Sequence, residues 1–117
     1  MKTQKRFEIT HQKDEDIQIM NIAGHLDGVS SEMAEQVILQ TIENADKIIF
    51  KLDDLIYISS AGLRIILVAA KKARNKKARI VFCSLGENVR KIFEISNFHT
   101  ILDIVDNLDC ALKKLKS

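Results

Sequence analysis

The sequence contains no proline and no tryptophan, and its 117 residues include only four glycines, two cysteines, one tyrosine and five phenylalanines. So little aromatic surface argues against a protein that stacks bases or sugars. With no Pro/Gly-rich stretch there is no linker, and no internal repeat is visible. A chain of 117 residues has room for one core, so a single domain spanning 1–117 is expected. The two cysteines, Cys83 and Cys110, fall in a predicted strand and a predicted helix without metal-ligand spacing, and are read as reduced packing residues. A net charge of +2 is too small to imply nucleic acid. The start, Met1-Lys2-Thr3-Gln4-Lys5-Arg6, is followed by no apolar signal region. No apolar run approaches the roughly 20 residues of a membrane span. The expectation is a cytoplasmic protein with neither nucleic acid nor membrane as partner.

What is present is an ordinary globular balance, 46% hydrophobic and 29% charged. Arg6 to Gln12 and Ile17 to Ala23 alternate apolar and polar residues around the charged turn Lys13-Asp14-Glu15-Asp16, which predicts a hairpin ending at Gly24. His25-Leu26-Asp27-Gly28 is read as loop, and Ser30 or Ser31 as the cap of a helix with Met33, Val37, Ile38 and Ile42 inward. Ile48 to Leu52 and Ala78 to Cys83 are short and largely apolar, as buried strands are. A helix follows each: one apolar from Leu63 and then basic, one carrying Val89, Ile92 and Phe93. Ile101 to Val105 is a last strand, and a helix with Leu108, Leu112 and Leu115 closes the chain behind Asp106 or Asn107. The alternation predicts an α/β fold: a small, mixed, mostly parallel sheet of about five strands with an N-terminal edge hairpin, packed by about four helices. In such sheets functional loops follow strand C-termini. His25–Ser30, Asp53–Ser60 and Ser84–Glu87 should therefore lie together at one end.

The chain is organised around Ile48 to Arg74, where Ser59-Ser60-Ala61-Gly62 joins a strand to a helix. Hydroxyls there meet backbone N–H groups that lack partners, at the positive pole of the helix dipole. The plain reading is an N-cap. The functional reading is an anion site, either a bound phosphate or a phosphate added to a serine. Small Ala61 and Gly62 would let a partner approach, and Tyr57 and Ile58 are read as exposed beside the hydroxyls. The helix is apolar on nearly every side, as a helix buried on two sides or presenting a partner surface is. Lys71, Lys72, Arg74, Lys76 and Lys77 are read as its solvated end.

Enzyme chemistry finds little support. Neither serine sits in G-x-S-x-G, and of the three histidines only His25 falls in a loop expected near Ser60. The adjacent Asp53 and Asp54 lack the further ligands of a metal site. Gly86 is alone in its loop, so no Gly-rich phosphate cradle exists. No cofactor, metal or catalytic residue is assigned.

Three segments, Gly24-His25-Leu26-Asp27, Tyr57-Ile58-Ser59-Ser60-Ala61-Gly62-Leu63-Arg64 and Glu87-Asn88-Val89-Arg90-Lys91-Ile92-Phe93-Glu94, resemble in order and spacing a STAS domain of the anti-sigma factor antagonist type. The resemblance covers roughly residues 6–115. It implies a non-enzymatic partner that binds an anti-sigma factor with serine kinase activity while unphosphorylated. Phosphorylation would release it, and a PP2C-type phosphatase would reverse the step. Carried over by position, Ser60 is the phosphoacceptor, and Asp27, Ser59, Gly62, Leu63 and Arg64 surround it as partner-binding residues. The family resemblance favours a monomer. Two positions depart from the pattern: Ser59 and Lys51 stand where many members carry Asp. An ammonium at 51 that reached the site would favour the phosphorylated form. The alternative is a STAS module that is never phosphorylated and serves as a structural subunit of a larger sensory or transport-associated complex.

Overall fold

A computed structural model describes residues 7–117. Arg6, expected to open the first strand, lies outside the described residues. The elements run β1 (Phe7–Asp14), β2 (Ile17–Leu26), α1 (Ser31–Glu43), β3 (Lys47–Lys51), β4 (Leu55–Ile58), α2 (Ser60–Lys76), β5 (Arg79–Cys83), α3 (Glu87–Ile95), a short 3-10 turn (Phe98–Thr100), β6 (Ile104–Val105) and α4 (Leu108–Lys116). β1 and β2 form the antiparallel hairpin, and every other pairing is parallel. The strand order is β1-β2-β3-β5-β6, with β4 also paired to β2.

The expected five strands are thus six. The addition is β4, placed within a segment read as loop. It follows β3 end to end along the same edge of β2, so one long strand serves two short ones. The register slips between Gly24 and His25, where Gly24 opposes Leu55 but His25 opposes Tyr57, leaving Ile56 as the extra residue of a bulge. Gly24 adopts φ 92°, a left-handed conformation that glycine tolerates. It therefore bends β2 without ending it, and His25 and Leu26 are strand, not loop.

Alternation sorts the strands onto two cores. Met20, Ile22, Ile48, Phe50 and Phe82 face α1, α2 and α3, whereas Ile17, Ile19, Ile49, Val81 and Cys83 face Ala111 and Leu115 of α4. Strands covered on both faces read as continuous apolar runs, which is why β3 and β5 were legible. The scarce aromatics are concentrated in the first core. Phe82 meets Phe50 edge-on at 4.9 Å between ring centres and Phe93 at 6.4 Å, and Phe93 meets Phe98 at 5.9 Å. Burial pushes the Cys83 thiol pKa up, and Cys110 is exposed; both are free thiols.

Two helix faces differ from expectation. In α1 the buried positions are Ser31, Ala34, Ile38 and Ile42, and Met33 points outward, 54% exposed. In α2 the core face is Gly62, Ile65, Ile66, Ala69 and Ala73, with Leu67 and Val68 at the margin. The basic end of α2 is also not simply solvated. Lys76 Nζ donates to the carbonyls of Ile42 (2.6 Å), Glu43 (2.6 Å) and Ala45 (3.1 Å), and Lys72 pairs with Glu43 at 3.2 Å. The last turn of α1 contains no cation of its own. A lysine from the neighbouring helix satisfies its leftover carbonyls. Lys76→Met is therefore expected to lower stability by about 1–2 kcal/mol, because charge-assisted hydrogen bonds are lost. Urea unfolding measures this, with the exposed Lys71→Met unchanged as the comparison.

Candidate functional site

The three predicted loops do meet at the C-terminal ends of the strands. Ser59 N–H donates to the Leu26 carbonyl at 2.9 Å, and Gly24 N–H to the Asp54 carbonyl at 3.0 Å, which ties the second loop to the end of β2. Asn88 Nδ2 at the start of α3 donates to the Ile56 carbonyl at 3.0 Å, which ties in the third.

Ser59 is the N-cap of α2. Its extended backbone turns the chain into the helix, its carbonyl accepts from Leu63 N–H (2.8 Å), and its Oγ accepts from Gly62 N–H (3.3 Å). Ser60 is the first helical residue. It is exposed, and its hydroxyl makes no hydrogen bond among the described residues. The two serines therefore divide the work: one holds the helix end and the other faces outward. Leu63 is half-buried. Arg64, one turn beyond Ser60, is exposed, with Nη2 at 3.2 Å from Glu35 Oε1 of α1. Glu35 thus serves a contact between the two helices.

Gly62 is buried, and its small size is used inward. A Cβ there would lie 2.7 Å from the Leu26 carbonyl oxygen, 2.8 Å from Ile58 Cγ1 and 2.9 Å from Leu26 Cγ. This corrects the expectation that Gly62 clears the way for a partner: it lets α2 close onto the end of β2. Ile58, expected on the surface, is buried beneath it; Tyr57 is 43% exposed as expected.

Asp27 shapes the loop before α1. Its Oδ1 accepts from the N–H groups of Val29 (3.0 Å) and Ser30 (3.2 Å), and its carbonyl accepts from Ser31 N–H (2.9 Å). Ser30 Oγ accepts from Asp27 N–H (3.0 Å) and donates to the His25 carbonyl (2.8 Å). Ser30 occupies the N-cap position without a side-chain cap bond; the Asp27 carboxylate holds the turn just before the helix, and the Asp27 backbone carbonyl takes the first helical N–H, that of Ser31. The loop so formed carries Val29 outward, 77% exposed, one turn from Met33. Sequence reasoning missed both residues as surface. The available signal was a valine stranded between Gly28 and Ser30 in a polar loop.

The remaining candidates lie elsewhere. Lys51 shares its strand face with Ile49, on the α4 side of the sheet, whereas α2 packs on the opposite side. Its ammonium is 2.7 Å from Asp53 Oδ1, and that hydrogen bond raises its pKa against the opposing effect of burial. It is engaged away from Ser60. Asp54 Oδ2 accepts from Asn21 Nδ2 at 3.3 Å. His25 lines a groove of about 390 Å³ with Glu8, Thr10, Asn21 and Asp54, and its ring lies 6.4 Å from that of Tyr57. No hydrogen bond connects it to Ser60 among the described residues. Within the same residues no three of His, Cys, Asp and Glu gather as a metal site, and no helix is long and apolar enough to cross a membrane.

A mixed sheet with a serine exposed at the helix start after a short bulged strand defines a class, and comparison with known proteins identifies it. Residues 8–111 match the STAS domain family. BtrV of Bordetella bronchiseptica, which bears an anti-sigma factor antagonist name, is 30% identical over 112 residues, covering 95% of this chain and 97% of that protein. A Mycobacterium paratuberculosis anti-sigma factor antagonist of known structure superposes with a TM-score of 0.87 at 17% identity, covering 95% of each chain. The anti-sigma factor antagonist SpoIIAA has been solved unphosphorylated (TM-score 0.77, covering 94% of this chain and 96% of that one). SpoIIAA of Bacillus has also been solved phosphorylated (0.71, 93% and 98%), and both forms are 18% identical to this chain. The chain belongs to the STAS domain family, and its fold is that of SpoIIAA.

Proposed function

We propose that this protein is an anti-sigma factor antagonist switched by phosphorylation of Ser60. It binds an anti-sigma factor with serine kinase activity while Ser60 is free, and leaves it once Ser60 carries phosphate. A PP2C-type phosphatase restores the binding form. The observation that carries the reading is the division between the two serines, which leaves Ser60 Oγ exposed and unengaged while Ser59 Oγ caps the helix. Supporting it are the antagonist name of BtrV and the two phosphorylation states in which SpoIIAA is known. The physics agrees: phosphate brings about −1.5 to −2 charges, which a helix N-terminus tolerates and an apolar partner surface does not.

The contact surface in this reading is Ser60, Arg64 and the outer side of Leu63, extended by Val29 and Met33. Asp27, Ser59 and Gly62 act beneath it by shaping the two loops. Met33→Glu is expected to raise the partner's Kd by about tenfold or more, since a desolvated apolar anchor is replaced by a charge. Titration calorimetry reads this out. Ile95→Glu, at a still more exposed apolar residue at the far end of α3, should leave Kd unchanged.

The test of the switch is tandem mass spectrometry on protein taken from its native cells, at rest and under stress. The expected result is a singly phosphorylated species with the phosphate on Ser60. Unmodified protein alone under both conditions would overturn the switch and favour the structural-subunit alternative.

A further inference from the structure

We infer that Arg64 receives the phosphate: phosphorylation of Ser60 draws the Arg64 guanidinium off Glu35 and onto the phosphate, leaving the Glu35 carboxylate unpaired in the crease between α1 and α2. The inference rests on Ser60 being the phosphorylated residue and adds how the charge is handled once it arrives.

Three observations carry it. The first is spacing. Ser60 and Arg64 stand four residues apart on one face of α2. Helical Cα–Cβ bonds tilt toward the N-terminus, so the Arg64 side chain leans back over the first turn. An anion followed four residues later by a cation is the favoured order for such a pair. The second is the weakness of the present contact. Arg64 is held to Glu35 through one nitrogen at 3.2 Å, with 59% of its side chain in solvent. Exposed single pairs of this kind are screened and contribute little. A phosphate offers three oxygens and a bidentate match to the guanidinium, so it outcompetes a lone carboxylate.

The third is the engagement of other cations. Lys72 and Lys76 are committed to the far end of α1, and Lys51 is held by Asp53 on the opposite side of the sheet. Arg74 lies in the last turn of α2 and Arg79 at the start of β5, far along the chain from Ser60, so Arg90, exposed on α3, is the arginine for comparison. The exchange changes more than the phosphate. Only 29% of the Glu35 side chain is exposed. Losing its cation places an uncompensated negative charge beside Arg64, at the α2 part of the proposed contact surface. The partner is then opposed from α1 as well as from α2.

The experiment installs phosphoserine at position 60 during translation, so no kinase is needed. The second ionisation of the phosphate is followed by phosphorus NMR in the otherwise unaltered protein and in the Arg64→Gln, Arg64→Lys and Arg90→Gln variants. A paired cation favours the dianion, so Arg64→Gln should raise the midpoint by about half a pH unit. Arg64→Lys should raise it less, and Arg90→Gln should leave it in place. Coincident midpoints for the unaltered protein and Arg64→Gln would overturn the inference. So would a shift produced by Arg90→Gln alone. Absence of phosphate on Ser60 in native cells would instead overturn the proposed switch and leave this ion-pair exchange standing in the translated phosphoprotein. Circular dichroism confirms that the variants are folded, and Arg64→Lys keeps the test open if Arg64→Gln is not.

Discussion

Ser60→Asp is expected to weaken binding to the anti-sigma factor by about a hundredfold or more, with no loss of thermal stability. The two effects separate because of where Ser60 sits. As the first residue of α2 it is exposed and its hydroxyl makes no hydrogen bond among the described residues, so a carboxylate breaks no such contact. Its charge also lies at the positive end of the helix dipole, which is mildly stabilising. Across an interface the same charge must be desolvated or face a like charge, which costs several kcal/mol. Calorimetric titration with the purified partner and a thermal melt give the two readings. Ser60→Ala should bind as the unaltered protein does and still resist phosphorylation. A Ser60→Asp protein that binds with unchanged Kd would refute the switch.

Gly62→Val is expected to cost about 3 kcal/mol of folding stability, the range in which overpacking a closed site falls. The three atoms within 3 Å of an added Cβ include the Leu26 carbonyl oxygen, which is backbone and cannot swing aside. That carbonyl also accepts the Ser59 N–H, so displacing it loosens the N-cap that presents Ser60. Gly62→Ala meets the same clash but regains up to about 1 kcal/mol of helix propensity, so its net loss should be smaller. Gly28→Ala, where nothing lies within 4 Å, is the comparison and should change stability little. Urea unfolding separates this account from the one read off the sequence, in which a bulky residue at 62 blocks only the partner. Weakened binding with an unchanged unfolding midpoint would favour that earlier account.

The site was legible to a particular depth. Ser59-Ser60 could be placed at a helix start, because a short apolar strand, two hydroxyl residues and an apolar helical run are local signals. Which serine caps and which is free depends on the angle at which the chain enters α2, set by the bond from Ser59 to Leu26 across the sheet. β4 escaped notice because its four residues, Leu55 to Ile58, are buried at the two ends and exposed in the middle. A bulge erases the alternation by which half-buried strands are recognised. The same irregularity makes Gly24, a left-handed residue inside β2, look like a strand end in the sequence.

By itself, the sequence determined the α/β class, the order of the elements, the initial hairpin, the two-sided burial of the central strands and the position of Ser59-Ser60 at a helix start. Each of these follows from periodicity and propensity over a few residues. Only the tertiary structure decided that Met33 and Val29 face outward, that Gly62 is closed over by β2, that Lys76 finishes α1, that Lys51 is turned away from Ser60 and that Arg64 meets Glu35. Periodicity says which residues share a face; it does not say which face another element will cover, and that depends on contacts between parts of the chain tens of residues apart.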